Sequence, residues 1–311
     1  MTLFSLISAL LLEQWRPAGD RNRIILLFLA YADALERYFN TGVRRHGTAA
    51  WIAAVAPVLI LTGWIYYLLH SLSPLLAWVW NVVMLYLTMG FRQFNYSFTE
   101  IKDALKNGDL LLARKLLREW RGVPADELSS QEIARITIEL ALLHSHRYVF
   151  GIIVCFVVLP GPLGPVLYRL SELLSERWSG PRNHEQEQES DEFGRFASKA
   201  VEVIDWLPAR STAVSFAIAG NFEDAIYCWR AQAASWVDQA QGIILASGAG
   251  ALGVRLGDSL REAGGRYYRP ELGVGEEADM DFLQSTVGLI WRTLVLWLLL
   301  LLLLEIASWA G

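Results

Sequence analysis

Long apolar runs dominate the pattern of hydrophobic and polar positions along this chain. A helix crosses a bilayer core of roughly 30 Å with about 20 apolar residues. Residues 49–70 meet this length and predict a first transmembrane helix. Pro74 then starts a second run at 75–91, which predicts an antiparallel return, so that 49–91 forms a transmembrane hairpin. A last run predicts a final transmembrane helix at 287–305.

Two further apolar segments are weaker. Residues 1–48 begin with a stretch too short to span a bilayer and predict an interfacial segment. No Lys or Arg precedes that stretch, so a cleaved signal peptide is not expected. Residues 148–180 are apolar but are interrupted by Pro160, Pro162 and Pro165, and two interpretations stay open, a re-entrant half-helix and a kinked crossing. The choice decides on which side of the membrane residues 169–286 lie.

The remaining segments alternate apolar and polar residues at helical spacing. Residues 92–147 predict amphipathic helices, with a stop at Gly108, a cap at Asp109 and a capping box that begins at Ser130. Lys and Arg are abundant on both flanks of the hairpin, which places this helical region in the cytoplasm. Residues 181–195 predict a polar linker, and 196–286 form a C-terminal region that is helical up to a break at Pro208. The pattern therefore predicts an all-α fold, a polytopic helical membrane protein with amphipathic cytoplasmic hairpins and re-entrant segments.

The composition agrees with a membrane protein and excludes one class of partner. Hydrophobic residues make up 54% of the chain, above the usual soluble range of roughly 45–50%. The 13 tryptophans suit a membrane interface, so lipid is an expected partner. The net charge is −5 and the basic residues form no stripe, which argues against nucleic acid. Cys155 and Cys228 provide no disulfide framework and are interpreted as structural.

The segment GAGALGVRLGD at residues 248–258 contains the spacing G-x-G-x-x-G. In a dinucleotide-binding fold this run lies between a strand and a helix of a βαβ unit. No such unit is predicted around residues 248–258, and small residues at this spacing are typical of closely packed membrane helices. Arg255 is a separate signal, because a charge in an apolar, glycine-rich stretch near a membrane is costly and indicates a functional or paired role.

Several motifs of the chain resemble one family of membrane proteins. The run SGAGALGVRLGD is followed by YYRPELGVG and then by a hydrophobic helix. This order resembles the C-terminal part of the adenosylcobinamide-phosphate synthase family, CobD/CbiB. In that family a GALG[VI]RLGG-type run precedes a [RK]PxLG-type run. Two more segments, FGRFASKAVEVIDWLPAR and ALKNGDLLLARKLL, are similar to further blocks of that family. The blocks occur in the same order over most of residues 90–305.

The resemblance implies a multi-pass protein of the bacterial inner membrane that acts in cobalamin biosynthesis. The implied reaction is ATP-dependent amide formation between adenosylcobyric acid, a corrinoid, and an aminopropanol phosphate, with Mg²⁺ at the phosphates. The catalytic residues stay open. Candidate residues for the phosphates or the substrate are Arg210, Arg255, Arg269 and Glu271, with Glu271 orienting Arg269, and candidates for metal or amine contacts are Glu202 and Asp205.

The chain also departs from the pattern of the synthases. Where the family has ExxxENxxD, this chain has ELALLHSHR, which keeps Glu139 but has Leu143, His144 and Arg147. A GYRNERY-like run is replaced by GPRNHEQEQ, and a paired Asp by Val-Glu at 201–202. Proteins of the AmpE kind, linked to β-lactamase induction, share the DW[LV]P[AV]R element without those acids. A non-catalytic regulatory or sensor protein is therefore the alternative, and an oligomer or a membrane protein partner stays open in either case.

The sequence HSH at residues 144–146 resembles a metal-binding pair at first sight. Residues i and i+2 of a helix point about 200° apart, so His144 and His146 are poorly placed to share one ion. An interfacial role is the preferred interpretation.

Overall fold

The computed structural model describes residues 2–15, 19–39, 44–179, 187–262 and 265–310, which are mostly helical with little sheet. The helices of these residues are α1 (Thr2–Trp15), α2 (Gly19–Phe39), α3 (Arg44–Leu72), α4 (Pro74–Thr88), α5 (Phe91–Lys106), α6 (Leu110–Arg121), α7 (Ser130–Ser145), α8 (Gly151–Val158), α9 (Leu163–Ser179), α10 (Glu187–Ile204), α11 (Trp206–Ala219), α12 (Phe222–Gln232), α13 (Gln239–Leu252) and α14 (Met280–Ala310). The strands are β1 (Val254–Gly257), β2 (Leu260–Glu262), β3 (Gly265–Tyr267), β4 (Glu271–Leu272) and β5 (Glu276–Glu277). The predicted all-α membrane fold is confirmed.

The chain divides into two compact units. Unit 1 contains residues 1–90 and 151–207, and unit 2 contains residues 91–150 and 208–311. The divisions fall at residues 90, 150 and 207, so each unit is built from separate stretches of sequence. The predicted segments 92–147 and 287–305 belong to unit 2, and the predicted hairpin 49–91 belongs to unit 1 except for its last residue.

Three helices of the described residues are long and apolar enough to cross a membrane. They are His46–Leu72, Ser130–Val158 and Met280–Ala307. The first and the last contain the apolar runs at 49–70 and 287–305 from which transmembrane helices are predicted. The predicted second span at 75–91 is shorter than expected, because α4 has 15 residues and ends at Thr88, where Met89 adopts an extended conformation. At 1.5 Å per residue α4 is about 22 Å long, less than a bilayer core.

The N-terminal residues form helices that pack within unit 1. Helix α1 contacts α4 and buries Leu6 and Ala9. Its other face exposes Phe4, Leu11 and Trp15. One side of α1 is therefore covered by protein and the other presents apolar side chains, as an interfacial or lipid-facing helix does.

The proline-rich segment is a helical hairpin turn. Helix α8 ends at Val158, the chain turns through residues 159–162, and α9 begins at Leu163 and contacts α8. Gly161 has a left-handed φ of +61°, and a Cβ on Gly164 would overlap the carbonyl oxygen of Cys155, so these glycines allow the tight turn and the close approach. The segment therefore folds back on itself, and its first half is the end of the long helix Ser130–Val158. The choice between a re-entrant half-helix and a kinked crossing stays a prediction.

Part of the predicted polar linker at 181–195 is helical. Residues 180–186 lie outside the described residues, but α10 already begins at Glu187. Phe193 is buried with its ring 5.1 Å from that of Trp178, and both belong to a core cluster with residues of α2 and α3. Arg177 also donates two hydrogen bonds to Asp33 at 2.7 and 2.8 Å. This helix was not predicted as far as Glu187 because its N-terminal part is polar. Most of its apolar residues at helical spacing lie in its C-terminal half.

The predicted break near Pro208 lies three residues earlier. Helix α10 ends at Ile204 and α11 begins at Trp206, with Asp205 between them. Pro208 is in the first turn of α11, where its missing N–H would have no helical partner. The break therefore falls at Asp205 and not at the proline.

Unit 2 contains the predicted amphipathic hairpin. Gly108 adopts a left-handed φ of +74° after α5, and Asp109 caps α6 by accepting a 2.9 Å hydrogen bond from the N–H of Leu112. Helix α7 is capped by Ser129 with a capping box to Glu132, one residue earlier than predicted. The turn at 108–109 is confirmed. The capping box is one residue earlier because Glu132 lies three residues after Ser129, the spacing that the box requires, whereas Ile133 lies three residues after Ser130.

The glycine run lies in a helix and not in a nucleotide-binding loop. Residues 239–252 form α13, which is followed by β1, so the order is helix and then strand. A Cβ on Gly250 would overlap the carbonyl oxygen of Asp224 on α12, and a Cβ on Gly248 would come within 2.7 Å of Leu142 on α7. The small residues let α13 pack closely against its neighbours, as predicted.

Candidate binding cleft

The small sheet after α13 places one arginine between two carboxylates. Strand β1 follows Gly253, whose left-handed φ of +70° ends α13. It pairs antiparallel with β4 and parallel with β5, and the parallel register puts Arg255 opposite Glu277. The guanidinium of Arg255 lies 3.4 Å from both Glu271 and Glu277. The sequence missed this sheet because its strands are only two to four residues long.

A buried ion pair connects α7 to the end of β1. Arg269 Nη1 and Nη2 donate to the two carboxylate oxygens of Glu139 at 2.8 and 2.9 Å, and the side chains are only 13% and 5% exposed. The N–H of Gly257 donates to the same carboxylate at 2.8 Å. Arg269 also lies over the ring of Trp236, 5.4 Å from its centroid. Removing one partner of a buried pair leaves the other charge buried without a counterion, which is costly. The pair therefore holds Glu139 and Arg269 in this arrangement.

The turn after β1 carries an aspartate into the cleft. Gly257 and Asp258 both have left-handed φ angles, +75° and +62°. The carbonyl oxygens of Gly257 and Asp258 accept hydrogen bonds from Arg269 at 3.2 and 3.3 Å. Arg135 Nη1 on α7 donates to Asp258 Oδ2 at 3.2 Å. A hydrogen bond from the N–H of Ser259 and the nearby Arg135 hold the pKa of Asp258 below its usual value, so the carboxylate is ionised at neutral pH.

These groups line an open cleft at the N-terminus of α7. Its volume is about 280 Å³, and it is lined by Ser129, Gln131, Glu132, Arg135, Arg255, Leu256, Asp258, Glu271, Glu277 and Ala278. A second cavity of about 520 Å³ shares Gln131 and is lined further by the carboxylates of Asp279 and Asp281 and by apolar residues of α5, α6 and α14. The lining of the first cleft combines two guanidinium groups with several carboxylates. It therefore suits a ligand that carries charges of both signs.

The structure brings together two of the residues predicted from the sequence. Arg255 and Glu271 lie in the same cleft and form an ion pair. Arg269 is close in sequence but is bound to Glu139, so the expectation that Glu271 orients Arg269 is wrong. The register explains the difference, since Glu271 pairs with Gly257 and its side chain reaches Arg255 instead.

The other predicted residues lie elsewhere in the chain. Glu202 is exposed on α10, and Asp205 is buried after the end of α10 and accepts a 3.0 Å hydrogen bond from the hydroxyl of Tyr168. Both belong to unit 1, whereas Arg210 lies on α11 in unit 2. Within the described residues no three His, Cys, Asp or Glu side chains form a group that could hold a metal ion. The metal and phosphate roles of these residues stay predictions.

Sequence reasoning missed Arg135, Asp258 and Glu277. A signal for Arg135 was present, because it is a charge within the apolar run of α7, and the argument that selected Arg255 applies to it equally. A signal for Asp258 was also present, since the family pattern has glycine where this chain has aspartate. Glu277 could be found only through the sheet register.

The two histidines are held by ring and hydroxyl contacts. His144 lies between the rings of Trp120 and Tyr148, with centroids 5.3 and 5.2 Å away. His146 Nδ1 is 2.9 Å from the hydroxyl of Thr212, at the start of a π-helical turn that spans His146–Phe150. The two rings thus have different neighbours.

Comparison with known proteins gives consistent matches along the chain. The family described as "CobD/Cbib protein" matches residues 6–290. A "Cobalamin biosynthesis protein CobD" of Stutzerimonas stutzeri is 36% identical over 307 residues, which cover 97% of this chain and 98% of that protein. Proteins of the same name from Chromobacterium violaceum and Photorhabdus laumondii are 35% and 24% identical and cover 82% and 88% of this chain, and 78% and 88% of their own lengths. No solved structure gives a significant match.

Proposed function

The chain belongs to the CobD/Cbib protein family, and on that premise we propose that it acts in cobalamin biosynthesis. The proposed reaction is the ATP-dependent formation of an amide between adenosylcobyric acid and aminopropanol phosphate, which gives adenosylcobinamide phosphate. The protein is a helical membrane protein, and we propose a multi-pass arrangement in the bacterial inner membrane with the cleft facing the ATP pool of the cytoplasm.

The observation that carries this proposal is the mixed charge of the cleft. Aminopropanol phosphate is a phosphate anion and an ammonium cation on one short chain. Arg255 is 43% exposed and presents its guanidinium to the cleft, where it can bind a phosphate. Arg135 Nε has no hydrogen-bond partner among the described residues. The carboxylates beside these arginines can bind the ammonium group.

The proposed reaction has two steps. A carboxylate oxygen of adenosylcobyric acid attacks the γ-phosphorus of ATP, the bond to the bridging oxygen breaks, and ADP leaves. The amine nitrogen of aminopropanol phosphate, after losing a proton, attacks the acyl carbon, and inorganic phosphate leaves with the electron pair of the C–O bond. The residues of the cleft hold and orient the amine substrate, which is the main contribution of proximity in such a transfer.

Mg²⁺ would accompany ATP in this reaction. Magnesium in phosphoryl-transfer sites is usually held by one or two carboxylates together with the phosphates and water. The described residues contain no cluster of three protein ligands, but single carboxylates such as Asp279 and Asp281 line the second cavity. This donor set fits an ion that arrives with the nucleotide. Glu202 and Asp205 remain the alternative candidates from the family resemblance.

The regulatory alternative of the AmpE kind is not favoured. The relatives from Stutzerimonas stutzeri and Chromobacterium violaceum are named as cobalamin biosynthesis proteins, and the first matches nearly the whole chain. The retained Glu139 is occupied by Arg269 and Gly257, which explains its presence without the other acids of that helix. A corrinoid substrate and membrane lipid are the proposed partners, and an oligomer would be compatible with this proposal.

The test is a reconstituted reaction. The purified protein in detergent is incubated with adenosylcobyric acid, aminopropanol phosphate, ATP and Mg²⁺, and adenosylcobinamide phosphate and ADP are measured by mass spectrometry. Product formation that requires all four components supports the proposal. Complementation of a strain that lacks its own cobinamide-phosphate synthase, with cobyric acid in the medium, gives the same answer in the cell. A folded, expressed protein that forms no product in either assay would overturn it.

A further inference from the structure

Asp258 is the one described residue other than glycine with a left-handed backbone. The other positive φ angles in the described ranges belong to Gly108, Gly122, Gly161, Gly253, Gly257, Gly273 and Gly275. A side chain in this region is strained relative to glycine, with Asp and Asn among the better tolerated residues. This chain therefore uses glycine at every other such position of the described ranges and keeps a carboxylate at this one.

The turn that carries Asp258 is held from the protein interior. Arg269 donates to the carbonyl oxygens of both Gly257 and Asp258, and Glu139 accepts from the N–H of Gly257. A Cβ on Gly257 would overlap the carbonyl oxygen of Pro270. These contacts fix the backbone on both sides of Asp258, and the hydrogen bonds from Ser259 and Arg135 hold the carboxylate itself.

The Asp258 carboxylate still has room for a ligand. Oδ1 accepts from the N–H of Ser259 at 2.6 Å and from its hydroxyl at 3.2 Å, and Oδ2 accepts from Arg135 at 3.2 Å. The two oxygens of a carboxylate offer about four acceptor sites. The side chain of Asp258 is 57% exposed, and it lines the same cleft as Arg255.

We propose that Asp258 binds the ammonium group of the amine substrate, and that Glu139 and Arg269 are positioning residues that aim it. This inference rests on the proposed function for the identity of the ligand, an aminoalkyl phosphate. Arg255 binds the phosphate end, and Asp258 distinguishes the aminoalkyl phosphate from an alkyl phosphate that lacks the amine.

An ion pair with Arg135 alone does not account for Asp258. A pair that is 57% exposed on the acidic side contributes little to stability. The exposed carboxylate is available to a ligand in addition to Arg135 and Ser259.

The experiment compares two ligands and three proteins by titration calorimetry in detergent. The ligands are 1-amino-2-propanol phosphate and isopropyl phosphate, which lacks the amine. The proteins are the wild type, Asp258→Asn and, as a matched control, Asp126→Asn, since Asp126 is exposed and lines neither of the two cavities described above. Asparagine tolerates the left-handed region as aspartate does, so this variant removes charge and leaves the turn intact.

The wild type and Asp126→Asn should bind the aminated ligand at least about tenfold more tightly than isopropyl phosphate, the usual worth of a charged hydrogen bond. Asp258→Asn should bind both ligands equally and retain its affinity for isopropyl phosphate. Arg269→Lys should also lose the preference for the aminated ligand, since one lysine cannot contact Glu139, Gly257 and Asp258 together.

Two results would overturn the inference, an unchanged preference in Asp258→Asn and the absence of any preference in the wild type. The synthase assay is independent of this measurement. A wild type that prefers the amine but forms no product would reject the proposed reaction and leave the role of Asp258 intact.

Discussion

Arg269 and Glu139 are 130 positions apart in the chain, and they form a bidentate ion pair with N–O distances of 2.8 and 2.9 Å. The pair joins the middle of α7 to the segment that follows β3. Glu139 also accepts a hydrogen bond from the N–H of Gly257, and Arg269 also donates to the carbonyl oxygens of Gly257 and Asp258. The side of the cleft formed by β1 is therefore aligned with α7 by polar contacts that have a defined direction, which apolar packing alone does not provide.

Glu139→Gln should destabilise the protein strongly. The substitution leaves Arg269 buried at 13% exposure with no carboxylate, and breaking a buried pair in this way costs about 3–5 kcal/mol. Thermal unfolding in detergent, followed by tryptophan fluorescence, measures the effect. Glu119→Gln is the matched control, because Glu119 is exposed on α6, and it should change stability by less than about 0.5 kcal/mol. Equal melting temperatures for both variants would contradict a structural role of the pair.

Gly257→Ala and Gly108→Ala should differ although their φ angles are nearly equal, +75° and +74°. A Cβ on Gly108 meets no atom within 4 Å, so only the backbone cost of about 1–2 kcal/mol applies. A Cβ on Gly257 overlaps the carbonyl oxygen of Pro270, so the antiparallel pairing of β1 with β4 must shift. Gly257→Ala should therefore lose clearly more stability than Gly108→Ala in the same unfolding assay. If Gly257→Ala loses less stability than Gly108→Ala, the pairing of β1 with β4 can shift without a cost in stability.

Much of the fold could be predicted because it follows from local patterns. Apolar length identified the spans at both ends, and the pair Gly108–Asp109 identified a turn through a cap and a left-handed residue. Other features depend on contacts between elements that are distant in the sequence. Pro160 and Pro162 are compatible with a kink, a half-helix or a hairpin, and only the close contact of Gly164 with α8 makes the hairpin. The start of α10 is polar, and its helix depends on the burial of Phe193 in a distant core.

The site could be predicted only in part. Arg255 was found because the cost of its charge is visible in the sequence. Glu271 was selected only as a partner for Arg269 in the run YYRPELGVG. The partner of Arg269 could not be found in this way, since Glu139 is on another helix and the motif offers a nearer acid. The choice between Glu139 and Glu271 depends on the register of β1 with β4, which involves only two residue pairs.

Arg255→Ala should reduce synthase activity while the protein remains folded. The ion pairs of Arg255 are at 3.4 Å and are more than 40% exposed, so their loss should cost less than about 1 kcal/mol. Loss of a charged contact to the substrate phosphate should lower kcat/KM at least about tenfold. Arg255→Lys should recover part of this loss, because lysine keeps the charge but not the bidentate geometry. Steady-state assays with varied aminopropanol phosphate measure both variants, and an unchanged kcat/KM would remove Arg255 from the site.

The stability that Asp258 contributes should depend on pH in a defined direction. The hydrogen bond from the N–H of Ser259, and then Arg135, lower the pKa of Asp258 in the folded protein below its ordinary value of 3.8. The charged carboxylate therefore stabilises the folded state above about pH 4, and this stabilisation is lost as the pH falls through the lowered pKa. The melting temperature of the wild type should exceed that of Asp258→Asn by a small amount at pH 6, and the gap should narrow as the pH falls below the ordinary pKa of 3.8.

A second background separates the two causes of that shift. Arg135→Met is introduced both into the wild type and into Asp258→Asn, and the gap between the two melting temperatures is measured again over the same pH range. Because the N–H of Ser259 is the larger cause and stays in place, most of the pH dependence should persist in this background. If the gap loses its pH dependence when Arg135 is replaced, the ion pair and not the backbone hydrogen bond controls the charge of Asp258. A gap that widens towards acid pH in either background would contradict the lowered pKa itself.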